Sequence, residues 1–324
     1  MARWAKPTDF EFLKHAWEVC FDDEPEFIDW NFTNNFSFSD TVVAEFQGVP
    51  ASNMQLMPHR IRLRNTEYDI NYVSGVATLP EFRKRGLVRE MFAFAFPEML
   101  KRQQPISLLV PFNYAFYEKF GYRQCYEKTY RFADSLPAEG LFSAKDLSPR
   151  LIHRLNCIYC EAMQKHTGYV LRTPETWRRI LEDLLILSRG RILFHETEGK
   201  EDGYALITTA PGGGWELHEV CGPCALQFRT ETRPFAMARI LDPKRILTDL
   251  AKDFHGDLRL KITDCNLPEN NITLRLTGGT AIPCRGYDSE IDIRHLAQLI
   301  FGFAEDFTGT GLFSPQKPYL NMIF

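Results

Sequence analysis

The stretch GVATLPEFRKRGLVREMF, residues 75–92, decides how the rest of the chain is read. Its head ends a strand predicted over 67–78. Its tail opens an amphipathic helix predicted over 85–101, with Leu87, Met91, Phe92, Ala95 and Met99 at helical spacing. Between them lies a basic turn with one glycine. The first amides of a helix lack intrahelical acceptors, and the helix dipole is positive there. Arg83, Lys84, Arg85 and Arg89 add formal charge, and Gly86 lets the backbone approach a bulky anion. Such a turn suits a pyrophosphate group. On charge alone it equally describes a basic loop that merely starts a helix.

Working outward, the upstream pattern predicts strands over 41–46 and 51–63 joined by the turn Gln47-Gly48-Val49-Pro50. Residues 7–35 read as helical, with Phe10, Leu13 and Trp17 on one face, and the acidic stretch Asp22-Asp23-Glu24-Pro25 breaks them. Downstream come a buried strand over 106–110, a short helix over 114–120 ending at Gly121, and a closing strand over 127–132. Hairpin, strand, helix, strand, helix, strand is an α/β layer arrangement of about 130 residues. A boundary follows at 133–140. Two helices lie within 150–190, with Thr173 as an N-cap and Pro174 as the first helical residue. A hairpin spans 191–209. After Pro234 the pattern changes again, to helices near 243–253 and 294–303 and strands over 258–262 and 272–276.

Composition narrows the classes. A chain of 324 residues holds two or three domains. Hydrophobic residues at 44% exclude wholesale disorder, and Lys+Arg 38 against Asp+Glu 42 excludes a global basic field for nucleic acid. No apolar leader and no run near 18 apolar residues occur, so the expectation is a cytoplasmic protein with no membrane span. Eight cysteines are too sparse for a disulfide scaffold. The pairs Cys157/Cys160 and Cys221/Cys224 have C-x-x-C spacing. The first is expected inside a helix, and the second lacks the helix start that redox chemistry needs. The eight histidines show no ligand spacing, so no metal is expected.

Arg83-Lys-Arg-Gly86-Leu-Val88 resembles the acetyl-CoA-binding motif of GNAT acetyltransferases, with Val88 in place of the usual small residue. Phe116-Tyr117-Glu118-Lys119-Phe120-Gly121-Tyr122 resembles a second GNAT motif, in which the first tyrosine faces the CoA sulfur. Together with the chain end, these segments resemble the Eis (enhanced intracellular survival) family. The match is specific over 70–132, moderate over 234–324 and weak over 134–233. The resemblance implies an α/β (α+β) architecture in three parts. A catalytic GNAT domain, a mixed sheet flanked by helices, would span 1–133. A short degenerate GNAT-like domain would span 134–233, and a sterol-carrier-like α+β domain 234–324.

The resemblance also implies the site. Val76, Ala77 and Thr78 would pair with pantetheine amides. Arg83, Lys84, Arg85, Gly86, Leu87, Val88 and Arg89 would hold the pyrophosphate, and Phe112 and Asn113 would complete the cofactor contacts. Tyr117 would be the general acid, a phenol whose pKa of about 10 lies near that of a leaving thiolate. The α-carboxylate of Phe324 would be the general base. Phe21 and Asp23 lie where the family lines its substrate pocket, although an acidic stretch is also what a solvated helix end looks like. The implied reaction is N-acetylation of a primary amine, an aminoglycoside-like polyamine or a lysine side chain, with acetyl-CoA as co-substrate and no metal. The implied assembly is a homo-oligomer, trimer or hexamer. The rival reading is a non-catalytic CoA- or apolar-ligand-binding protein that uses the sterol-carrier-like domain.

Overall fold

The computed structural model describes residues 1–136, 147–224 and 226–321. The first part of the chain runs β1 (Ala2–Trp4), α1 (Phe10–Cys20), α2 (Pro25–Asn34), β2 (Thr41–Phe46), β3 (Val49–Leu63), β4 (Thr66–Thr78), α3 (Leu87–Lys101), β5 (Ile106–Leu109), α4 (Tyr114–Glu118) and β6 (Arg123–Gln124). There follow β7 (Glu127–Ala133), α5 (Pro149–Met163), β8 (Tyr169–Val170), α6 (Pro174–Glu182), β9 (Arg191–Thr197), β10 (Lys200–Thr209), β11 (Trp215–Cys221) and β12 (Arg229–Pro234). The last part holds β13 (Met237–Ile240), α7 (Pro243–Ala251), β14 (Asp257–Thr263), β15 (Ile272–Thr277), β16 (Thr280–Pro283), β17 (Ser289–Asp292) and α8 (Ile293–Phe301).

These elements form two compact units. One comprises Met1–Tyr126 with Phe235–Pro318, the other Glu127–Pro234 with Tyr319–Phe324. The expected division at 133 and 233 into three parts differs from this in two respects. The strand expected to close the first domain, now β7, pairs with β11 and β12 in the second unit's sheet. Residues 235–318 join the first unit because β13 inserts between β5 and β6. The expected boundary segment at 133–140 lies partly outside the described residues.

The first unit's main sheet has the order β1-β2-β3-β4-β5-β13-β6, antiparallel except where β4 meets β5. Period-two alternation on β2 explains the layering. Val42 and Ala44 pack against Met91, Phe92 and Phe96 of α3 on one face. Val43 packs against Leu13, Trp17, Ile28 and Phe32 of α1 and α2 on the other. The result is the expected mixed sheet flanked by helices. A second sheet in this unit, β16-β15-β14-β17, carries the parallel pair β14–β17 and packs with α7 and α8.

The second unit is an antiparallel sheet, β12-β7-β11-β10-β9, with α5 and α6 over it. Thr173 caps α6 by accepting from the Thr176 amide at 3.1 Å, and Pro174 opens the helix, as expected. Its core holds a fully buried ion pair. Arg172 donates both ends of its fork to Glu219 at 2.7 Å and lies over the rings of Tyr159 and Trp177. Glu219 also accepts from Tyr204, Tyr319 and Asn321. Burial alone would raise the Glu219 carboxyl. The charge and hydrogen bonds of Arg172, with those of Tyr204 and Asn321, outweigh it and hold the group below its ordinary value.

Candidate active site

The site is built where the main sheet comes apart. β4 and β5 pair at only two positions, Asn71 with Ser107 and Tyr72 with Leu108. β4 then continues to Thr78, whereas β5 ends at Leu109, and Pro111 beyond it has no amide to offer a ladder. Among the described pairings, the β5 side of residues 73–78 meets no strand. A backbone edge in the middle of a sheet is thereby left open to an extended ligand carrying amides.

A β-bulge shapes that edge. Asn53 pairs with Ala77 and Gln55 with Ser74, so Gly75 and Val76 together stand opposite Met54. Bulges re-aim backbone groups at such places. The buried Asn53 side chain donates to the Gly75 carbonyl at 2.9 Å and holds the bulge from the β3 side. Trp17 fills the space beneath Gly75, where a Cβ would come within 2.7 Å of its ring. Ser52 donates to the Ala77 carbonyl at 2.7 Å and is hydrogen-bonded to the Thr78 hydroxyl. The Thr78 carbonyl accepts from Arg83 Nε at 3.1 Å and from the Cys20 thiol. Val76, Ala77 and Thr78 therefore sit on a rigidly supported edge.

The basic turn follows the open edge. Gly86 is the N-cap of α3, in left-handed backbone with φ +81°, and no side chain caps the helix. Gly86 has no side chain to accept from the amides at the start of α3, which lie at a dipole-positive end. A Cβ on Gly86 would meet nothing within 4 Å, so the space in front of the turn is open. Arg83, Lys84, Arg85 and Arg89 are all exposed around it. Arg85 lies over the Phe46 ring at 4.4 Å. The Leu87 side chain is in the core, so Leu87 can offer only its backbone, and Val88 is half-buried against the same core.

Tyr117 lies on α4, buried among Phe92, Phe112, Phe116 and Tyr122. Asn113 caps this helix, its side chain accepting from the Phe116 amide at 3.0 Å, while Phe112 is 77% exposed. Burial, with a smaller contribution from Tyr72, pushes the Tyr117 phenol well above its ordinary value. The expected near match with a thiol is widened accordingly. The group stays a protonated donor throughout any working pH range.

Tyr72 is a member of this site that the sequence reading missed. It stands at the fork of β4 and β5, where the strand that carries the open edge parts from its neighbour. Burial pushes it up to about 12 against an opposing hydrogen bond with the Val110 backbone. Asn53 and Trp17 were missed as well. A glycine inside a strand was the available signal for the bulge they support.

The acidic stretch is joined to the same edge. Asp23 accepts from the Trp17 indole at 2.9 Å, and the Phe21 ring lies tilted against Trp17 with centroids 4.7 Å apart. Both residues are thus one side chain away from Gly75. Phe324 lies outside the described residues. Cys157 and Cys160 are exposed on α5, and Cys221 is buried at the end of β11, where burial pushes its thiol up. Among the described residues no group of three His, Cys, Asp or Glu could hold a metal ion. No helix among them is long and apolar enough to cross a membrane.

Residues 2–125 match the acetyltransferase (GNAT) domain family. They are a GNAT acetyltransferase domain. The chain thus carries a GNAT acetyltransferase domain in its first part, and such domains use acetyl-CoA. No curated protein matches the chain significantly. Among solved structures, the chain is similar to a GCN5-related N-acetyltransferase from Anabaena variabilis, with TM-score 0.78 and 16% identity over 100% of both chains. It is similar to Eis1 from Mycobacterium abscessus, with TM-score 0.75 and 15% identity over 100% of both. A GCN5-related N-acetyltransferase from Kribbella flavida gives TM-score 0.78 and 15% identity over 100% of this chain and 98% of that one. At these identities the likeness is one of fold.

Proposed function

We propose that the chain transfers the acetyl group of acetyl-CoA directly to a primary amine, an aminoglycoside-like polyamine or a lysine side chain. One observation carries the reading. An open backbone edge at 76–78, an uncapped helix start at Gly86 and a protonated buried phenol at Tyr117 occur in one unit, in the order a thioester cofactor needs. The amides of the α3 start, with Arg83, Lys84, Arg85 and Arg89, hold the pyrophosphate. The edge at Val76, Ala77 and Thr78 takes the pantetheine amides and polarises the thioester carbonyl. Phe112 and Asn113 flank the cofactor beyond β5.

In this reading the amine loses its proton to the Phe324 carboxylate and forms a C–N bond at the thioester carbonyl. The C–S bond then breaks, and Tyr117 gives a proton to the departing sulfur. Asp23 and Phe21 favour a cationic acceptor. The sheet β16-β15-β14-β17 with α7 and α8 is what we read as the sterol-carrier-like part, serving as scaffold. The assembly in this reading is a trimer or hexamer, which sedimentation measures.

The test is thiol release from acetyl-CoA against polyamines, aminoglycosides and lysine peptides. Native protein is compared with Tyr117→Phe and with a version extended beyond Phe324. Amine-dependent release that drops about 100-fold or more in Tyr117→Phe, as removal of a general acid does, and that vanishes on extension supports the reading. Unchanged turnover in Tyr117→Phe removes the acid assignment. Unchanged turnover in the extended protein removes the base.

A further inference from the structure

We propose that the stretch from Phe235 to Asn266 is the seat that holds Tyr117 in register with the open edge of β4. The inference rests on reading Tyr117 as the acid. α4 has only five residues, too few to be stable on its own. Its position must come from what grips it, and both ends are gripped from the far side of the chain. At its start, the Tyr114 hydroxyl donates to the Phe235 carbonyl at 3.0 Å. Just past its end, the Asn266 side chain donates to the Lys119 carbonyl at 2.9 Å.

The gripping groups are themselves fixed. Insertion of β13 between β5 and β6 places Phe235, whose amide donates to the Tyr126 carbonyl at 3.0 Å. Asn266 rides on a loop organised around the buried Asp264. One Asp264 oxygen accepts from the amides of Asn266 at 2.9 Å and Leu267 at 3.2 Å. The other accepts from Asn270 at 2.9 Å and from the buried Arg239. Arg239 in turn lies directly under Gly121, leaving no room for a side chain there. The turn that closes α4 thus rests on an ion pair supplied by β13 and the loop after β14. The Phe120 and Tyr122 amides return to the Tyr117 carbonyl, at 3.0 and 3.4 Å, and complete the seat.

The experiment uses the full chain with Tyr114→Phe, Asn266→Ala and both together, each in the native and the Tyr117→Phe background. Neither change removes core volume. Each single variant is expected to lower kcat about three- to tenfold, the size of one lost hydrogen bond, with KM for acetyl-CoA unchanged. In the Tyr117→Phe background the same changes should cost nothing further. Amide exchange at Phe120 and Tyr122 should speed up in the double variant while the β2 amides stay as they were. Unchanged kcat with unchanged exchange overturns the proposal, and so does an equal loss in both backgrounds. If Tyr117→Phe is itself fully active, the acid reading fails, and exchange alone decides whether the seat exists.

Discussion

Two glycines allow the cofactor cradle to be tested against an internal control. Gly86 at the start of α3 has φ +81°, and Gly48 in the β2–β3 turn has φ +82°. An added Cβ at either position would meet no atom within 4 Å. Alanine should therefore destabilise both sites for the same reason, the left-handed backbone, at about 1–2 kcal/mol each. For a domain of 150–250 residues, each kcal/mol lowers Tm by about 2–4 °C. The two variants should melt alike. They should differ in cofactor binding. A phosphate held by the amides at the start of α3 would need the space that the Gly86→Ala methyl enters. The CoA Kd of Gly86→Ala should rise at least tenfold, about 1.4 kcal/mol, while Gly48→Ala binds as native. Calorimetric titration with CoA, beside melting curves, reads both quantities. Equal Kd values in the two variants would refute the placement of the pyrophosphate at the start of α3.

Glu219→Gln leaves the Arg172 charge buried with its carboxylate partner gone, and should lower stability by about 3–5 kcal/mol in urea titration. The folded Glu219 carboxyl lies below the unfolded value of about 4.3. Its contribution is therefore fully present above that pH and is lost as pH falls through the folded value. Native stability should drop in that acid window more than that of Glu219→Gln. Asp23→Asn keeps an acceptor for the Trp17 indole and removes the charge. KM for a polycationic amine should rise several-fold, as for one exposed ion pair, with KM for acetyl-CoA unchanged. An unchanged amine KM would return Asp23 to the role of a solvated helix end.

Local elements were legible because local rules make them. The apolar spacing of Leu87, Met91, Phe92, Ala95 and Met99 announced α3. Thr173 and Pro174 announced the start of α6, and Gln47-Gly48 announced the hairpin turn. The basic turn proposed as the cradle was legible for the same reason, since a glycine, four cations and a helix start are neighbours in sequence. Tyr72 was not, because its importance comes from standing where β4 and β5 part, and that point depends on a parallel pairing across 35 intervening residues. Asn53 and Trp17 were invisible for a similar reason, since each matters through contact with one glycine remote in the chain.

By itself the sequence determined the strand–turn–helix unit, the order of the elements from α1 to α4 and the basic turn that we propose meets a phosphate. Periodicity, capping and charge act within a few positions and need no partner. Only the tertiary structure decided that β7 leaves the first sheet and that β13 enters it. Strands choose partners by burial and register over long separations, which no local pattern encodes. The same long-range choice moved residues 235–318 into the first unit. With them came the buried Arg239–Asp264 pair, placed beneath the turn that ends the helix of Tyr117.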